Sequence, residues 1–114
     1  MAIVRFDPYF NLDFSSITGS FQTIGTILQH NWRAFRVVNN TDGDMILSFN
    51  GVENNLFVPA NTFVLYDISA NCDATSSINT DNLVFTLGTQ FYIKQSTAPT
   101  KGAIYIEGFY ARGQ

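Results

Sequence analysis

Residues 103–110 read Ala103-Ile104-Tyr105-Ile106-Glu107-Gly108-Phe109-Tyr110, and this stretch decides the fold. Side chains of an extended chain point alternately to opposite sides, so hydrophobicity with a period of two marks a strand with one face in a core. Ile104, Ile106 and Tyr110 share one face and predict the inward side; Tyr105, Glu107 and Phe109 share the other. That outward set is unusually aromatic for a surface in contact with water. Thr89-Gln90-Phe91-Tyr92-Ile93-Lys94 repeats the pattern, with Thr89, Phe91 and Ile93 on one face. Thr62-Phe63-Val64-Leu65-Tyr66-Asp67-Ile68 is apolar on both faces. It predicts a strand that is either central in a sandwich or covered on its outer side by something else.

Turn chemistry separates the remaining strands. Asn39-Asn40-Thr41-Asp42-Gly43-Asp44 lies between Trp32–Val38 and Met45–Phe49. Asp-Gly readily supplies the positive φ angles of a primed turn, so the two runs are expected to form a hairpin. The turn Phe49-Asn50-Gly51-Val52 leads to a short run, Leu56-Phe57-Val58, which Pro59 ends because proline cannot donate to a ladder. Phe21–Gln29 and Leu83–Thr86 complete the set, and Ser96–Gly102 is a turn around Pro99 and Gly102. No helical period persists, and about seven or eight short strands at regular spacing predict an all-β chain: a single-domain antiparallel β-sandwich or jelly roll. Residues 1–20 are expected to be an N-terminal strand and apolar docking arm, and residues 21–114 the β-sandwich domain. Within the arm, Asp7–Ser20 is too irregular for a strand and too aromatic for a free linker; Tyr9, Phe10, Leu12 and Phe14 either fold back to close one end of the same sandwich or dock on a neighbouring subunit. Ser69–Asn82 reads as a polar surface loop.

The composition points to a surface that other proteins cover. Of 114 residues, 46% are hydrophobic and 15% aromatic, but only 13% are charged, against about 25% in an ordinary globular domain. Interface cores are depleted in charge and enriched in aromatics. The net charge is −3, and Arg5, Arg33, Arg36, Lys94, Lys101 and Arg112 form no cluster. Phosphate backbones and anionic membranes both require clustered cations, so neither nucleic acid nor membrane is an expected partner. Cys72 is the sole cysteine and cannot form an intramolecular disulfide. Met1–Pro8 lacks the apolar run of a signal peptide, and the chain is expected to fold in a cytoplasm.

Candidate chemistry is sparse. His30 is the only histidine, so any nucleophilic arrangement would have to use it with Cys72 or a serine. His30-Asn31-Trp32 reads better as a polar turn between strands. Asn39–Asp44 offers oxygen ligands, but its spacing does not match a calcium loop, and a turn explains the same residues. Trp32, Tyr92, Tyr105 and Tyr110 could form a sugar-stacking platform, although phenylalanine, which lacks a polar handle, dominates the aromatics. The expectation is a non-enzymatic protein without cofactor or metal.

Two blocks carry a resemblance. Thr41-Asp42-Gly43-Asp44-Met45-Ile46-Leu47-Ser48-Phe49-Asn50-Gly51-Val52, with Phe57-Val58-Pro59-Ala60-Asn61 and Leu65-Tyr66-Asp67, resembles small structural proteins from the morphogenesis clusters of tailed bacteriophages. Gly88–Lys94 and Gly102–Ala111 are similar to the closing strands of that group. The resemblance implies a multi-copy virion component with a β-sandwich core: a capsid decoration or cement protein, or else a neck or tail ring or adaptor. Its partners would be the major capsid protein or neck and tail proteins, together with further copies of itself. A carbohydrate-binding adhesion module is the alternative. The residues expected to dock on neighbours are Tyr9, Phe10, Leu12 and Phe14 in the arm, with Tyr105 and Phe109 on the last strand.

Overall fold

Gly102–Arg112 forms the longest strand of the computed structural model, which describes residues 3–67 and 85–112. Among the described residues there are nine strands and one 3-10 turn, Phe14–Ser16. The strands are β1 (Ile3–Phe6), β2 (Phe10–Asp13), β3 (Gln22–Ile24), β4 (Trp32–Thr41), β5 (Met45–Ser48), β6 (Leu56–Val58), β7 (Thr62–Asp67), β8 (Phe91–Gln95) and β9 (Gly102–Arg112). All their pairings are antiparallel. One sheet has the order β1-β9-β4-β7, with β2 also on β9, and the other has the order β3-β8-β5-β6. With β1 and β2 counted as two halves of one strand, this is the eight-strand order of a jelly roll.

The inward faces of both sheets supply the core. Trp32, Phe35, Val37, Ile104 and Ile106 come from the five-stranded sheet; Ile24, Met45, Leu47, Val58, Phe91 and Ile93 come from the other. Trp32 and Phe35 both point inward although they are three residues apart, which a regular strand cannot do. A register shift between Trp32 and Ala34 resolves the conflict: Trp32 pairs with Tyr110, and Ala34 with Phe109. The extra residue is a β-bulge. Opposite Phe35 lies Gly108, where a Cβ would overlap the Trp32 indole.

Several expectations need correction. Trp32–Val38 and Met45–Phe49 are strands but do not form a hairpin, because β4 and β5 belong to different sheets. Gly43 is not among the glycines with positive φ, so no primed turn forms. Asn39 instead directs the corner. Its Nδ2 donates to the carbonyls of Gly43, Val58 and Pro59 at 2.9, 3.0 and 3.1 Å, and its Oδ1 accepts from the Thr41 N–H at 3.0 Å. One buried side chain thus binds backbone carbonyls of the corner and of the end of β6. The Thr62–Ile68 run gives β7, which among the described residues is an edge strand rather than a central one, because β9 occupies the other side of β4. Phe21–Gln29 yields only β3, ended by Gly25 at φ 74°. Asp7–Ser20 is more regular than expected, since Phe10–Asp13 pairs with Ala103–Ile106. Phe85 bridges Trp32, with N–H···O distances of 2.8 and 2.9 Å. Ser69–Asn82 and Cys72 lie outside the described residues.

The β5–β6 turn and the Ser96–Gly102 turn form as expected. Gly51 and Gly102 have φ of 76° and 95°, a region that favours glycine. The second turn clasps the β4–β5 corner. The Asp42 carboxylate accepts from the Thr100 hydroxyl and from the Thr100 N–H, the latter at 2.6 Å. These bonds, the hydroxyl first, hold its carboxyl below the usual carboxylate range. Such a group stabilises the fold above its unfolded pKa, about 3.9, and the contribution disappears as pH falls through the lower folded value. Urea midpoints should therefore drop as pH falls below about 4, and Asp42→Asn should flatten the part of that slope due to Asp42. Gly108→Ala should lower stability by about 1–3 kcal/mol through overpacking against Trp32, read from the same urea curves.

Candidate interaction surface

Alternate residues of the five-stranded sheet face away from the core, and their register places them in rows. Arg36 lies between Leu65 and Glu107; Val38 lies between Phe63 and Tyr105; Ala34 lies beside Phe109, which lies beside Phe6. The field is apolar and open to solvent. Phe6 is 73% exposed, Leu65 62% and Phe63 58%. Phe6 and Phe109 are in ring contact at 5.6 Å, and Tyr9 meets Tyr105 edge-on at 5.7 Å. Scattered apolar side chains are normal on a protein surface, but a contiguous group on one sheet face is a candidate interaction site.

The face has relief. A furrow of about 290 Å³ runs over β4, with Ala34 and Gly108 at its floor. Phe6 and Phe109 wall one side, and Phe63 and Leu65 the other. At one end Arg36 and Glu107 form an ion pair, with Nε and Nη2 at 2.6 and 2.5 Å from the same Oε1. The Arg36 guanidinium also lies over the Phe63 ring at 5.6 Å.

The docking residues expected from sequence divide into two groups. Tyr105 and Phe109 lie on this face, and Tyr9, 59% exposed, adjoins it. Phe10 and Leu12 turn inward on β2 and pack against the core, Phe10 stacking on Trp32 at 5.7 Å. Phe14 is half-buried in the 3-10 turn. Phe6, Phe63 and Leu65 are the residues sequence reasoning missed. The two-sided apolar pattern of Thr62–Ile68 was the available signal.

His30 has spatial partners. Its Nδ1 lies 3.1 Å from Asp7 Oδ1, and its ring stacks on Tyr110 at 3.8 Å and 7°. The same carboxylate accepts from Trp32 Nε1 at 2.7 Å. A nucleophilic triad also needs a hydroxyl or thiol on the other ring nitrogen. Among the described residues none hydrogen-bonds that nitrogen. The cluster acts as a clasp: Asp7 ties the β1–β2 connection to the start of β4 and satisfies a buried indole N–H. In the Asn39–Asp44 corner, the carboxylates of Asp42 and Asp44 are engaged by Thr100, Ala60 and Thr97. No group of three or more potential metal-ligating side chains occurs among the described residues. Trp32 is 0% exposed, so it is unavailable for sugar stacking.

Compared with models of known protein families, with curated proteins and with solved structures, the chain has no match. The two aromatic and aliphatic groups, inward and outward, should respond differently to substitution. Phe10→Ala should cost about 2–3 kcal/mol, below the usual range for a fully buried phenylalanine. Leu65→Ser should remain within about 0.5 kcal/mol of the parent in the same urea titration.

Proposed function

We propose that this chain is a non-catalytic structural subunit of a tailed-phage virion, a capsid decoration or cement protein that docks through the outer face of its five-stranded sheet. The observation that carries the reading is the exposed field of Phe6, Phe63 and Leu65 on one sheet face. Burying a large apolar side chain yields about 1.5–3 kcal/mol, so these residues, with Phe109 and Tyr105, are enough to hold a subunit. Repetition across a lattice raises the effective affinity further. The phage setting rests on the sequence resemblance, and the jelly-roll order is compatible with it, since that architecture recurs in viral capsid proteins. Architecture alone does not assign function, and lectins also use it. Against the carbohydrate reading, the one tryptophan is in the core, and the open face is built mainly from phenylalanine and leucine.

The test is incorporation of the chain into purified virions, measured by quantitative mass spectrometry. Leu65→Asp should remove the subunit from particles while its thermal unfolding stays unchanged. Normal incorporation of that variant would overturn the reading. Labelling at the neck or tail in electron micrographs would assign it to a ring or adaptor instead. Saturable binding on a glycan array would favour adhesion.

A further inference from the structure

We infer that the first partner of this face is a second copy of the chain, packed face to face about a two-fold axis that runs along the strands between β4 and β9. The inference rests on the reading of this face as a docking surface and names what docks there: the face joins two copies, and the dimer enters the particle as a unit.

The argument begins with strand order. In β1-β9-β4-β7 the midline lies between β9 and β4. A two-fold rotation about that line lays β9 of one copy over β4 of the other, and β1 over β7. Residues paired across β4 and β9 are thereby exchanged. Ala34 pairs with Phe109, so the Phe109 ring of each copy comes to lie over the Ala34 floor of the other's furrow. Val38 pairs with Tyr105, so those residues also meet. On the outer strands the same operation sets Phe63 of β7 over Asn11 of the second copy, Leu65 over its β1–β2 connection, and Asp67 over its Phe6. Projection and hollow therefore lie on one face at matching levels, as an isologous contact requires.

Charge selects the same partner. Arg36 and Glu107 straddle the midline as a registered pair and are only partly exposed, 44% and 38%. An apolar partner would desolvate the pair and return no new charged contact for it, which is costly. The two-fold operation instead sets each Arg36 over the second copy's Glu107, which closes a ring of four alternating charges. Asp67, opposite Ala34 at the end of β7, lies at the rim of the contact.

The area is sufficient. Four strands about 4.8 Å apart, along some ten residues of about 3.3 Å each, span on the order of 600 Å² in plan. Side-chain relief brings this near the roughly 800 Å² per partner of a standard stable interface. Aligned sheet packings keep their mean strand directions within about 30° of each other, as this arrangement does.

The experiment is sedimentation equilibrium on the full chain at about 100 μM, well above typical dissociation constants for interfaces of this size. The parent should sediment as a dimer of the 12.7 kDa chain. Arg36→Glu places like charges at the axis and should weaken dimerisation by at least about tenfold. Glu107→Arg should do the same. An equimolar mixture of these two variants should recover a heterodimer. One chain then carries two acidic groups at the axis and the other two basic groups, so both cross-axis contacts are again between opposite charges.

A single variant whose dissociation constant, read over a dilution series, rises less than about tenfold above the parent's would overturn the inference, as would a monomeric parent or a mixture that fails to associate. Phe109→Glu provides a check independent of the charged pair and should give a folded monomer, with its fold verified by circular dichroism. The two proposals fail separately. A monomeric parent whose Leu65→Asp variant is still lost from virions removes the dimer and keeps the docking role. A dimer whose Leu65→Asp variant incorporates normally does the reverse.

Discussion

The Trp32 indole is the constraint on which the rest of the structure depends. It is fully buried between the sheets, in contact with Phe10 and Phe91. Its bulk requires an absent Cβ at Gly108, and its N–H requires a buried acceptor, which Asp7 supplies. The bulge after Trp32 lets Phe35 join the same core. These demands connect three distant parts of the chain: the β1–β2 connection, the start of β4 and the middle of β9. A buried polar group left without its partner costs more than the hydrogen bond itself contributes, so the Asp7 contact ties the β1–β2 connection to the start of β4.

Buried polar side chains do comparable work where the chain changes sheets. Asn39 and Thr41 are almost fully buried at the β4–β5 corner, and Ser48 is buried at the end of β5. Ser48 Oγ accepts from the N–H groups of Asn50 and Gly51, at 3.2 and 3.0 Å. Asn39 ties together Gly43, Val58 and Pro59. Backbone groups that leave a ladder inside a sandwich cannot turn to water, so side chains of this kind must satisfy them.

Strand positions were legible from the period of two, because that pattern reports directly which side chains are buried. Partners were less legible. Asp42-Gly43 suits a tight hairpin, yet the decisive residue was Asn39, whose side chain reaches carbonyls on two separate segments and so opens the turn into a corner. The aromatic content of Asp7–Ser20 suggested docking, while the alternation Phe10-Asn11-Leu12-Asp13 already carried a strand's pattern. Phe10 and Leu12 face inward because β2 pairs with Ile104 and Ile106. On the candidate face, Tyr105 and Phe109 could be found from their own strand. Phe63 and Leu65 left only a weaker signal, since a run that is apolar on both sides does not reveal whether it is central or at an edge.

The position of β9 has a consequence for how the molecule folds. Its register pairs Ile3 with Arg112 and Phe6 with Phe109, so neighbours in the sheet lie more than a hundred residues apart in sequence. Pairing at such separation requires a large loop to close before any contact compensates for the lost chain entropy. During synthesis β1, β2 and β4 all wait for the strand that is translated last among them. Until it arrives, the side of β4 that β9 will cover remains a free edge, the state in which β-rich chains are most exposed to pairing with one another.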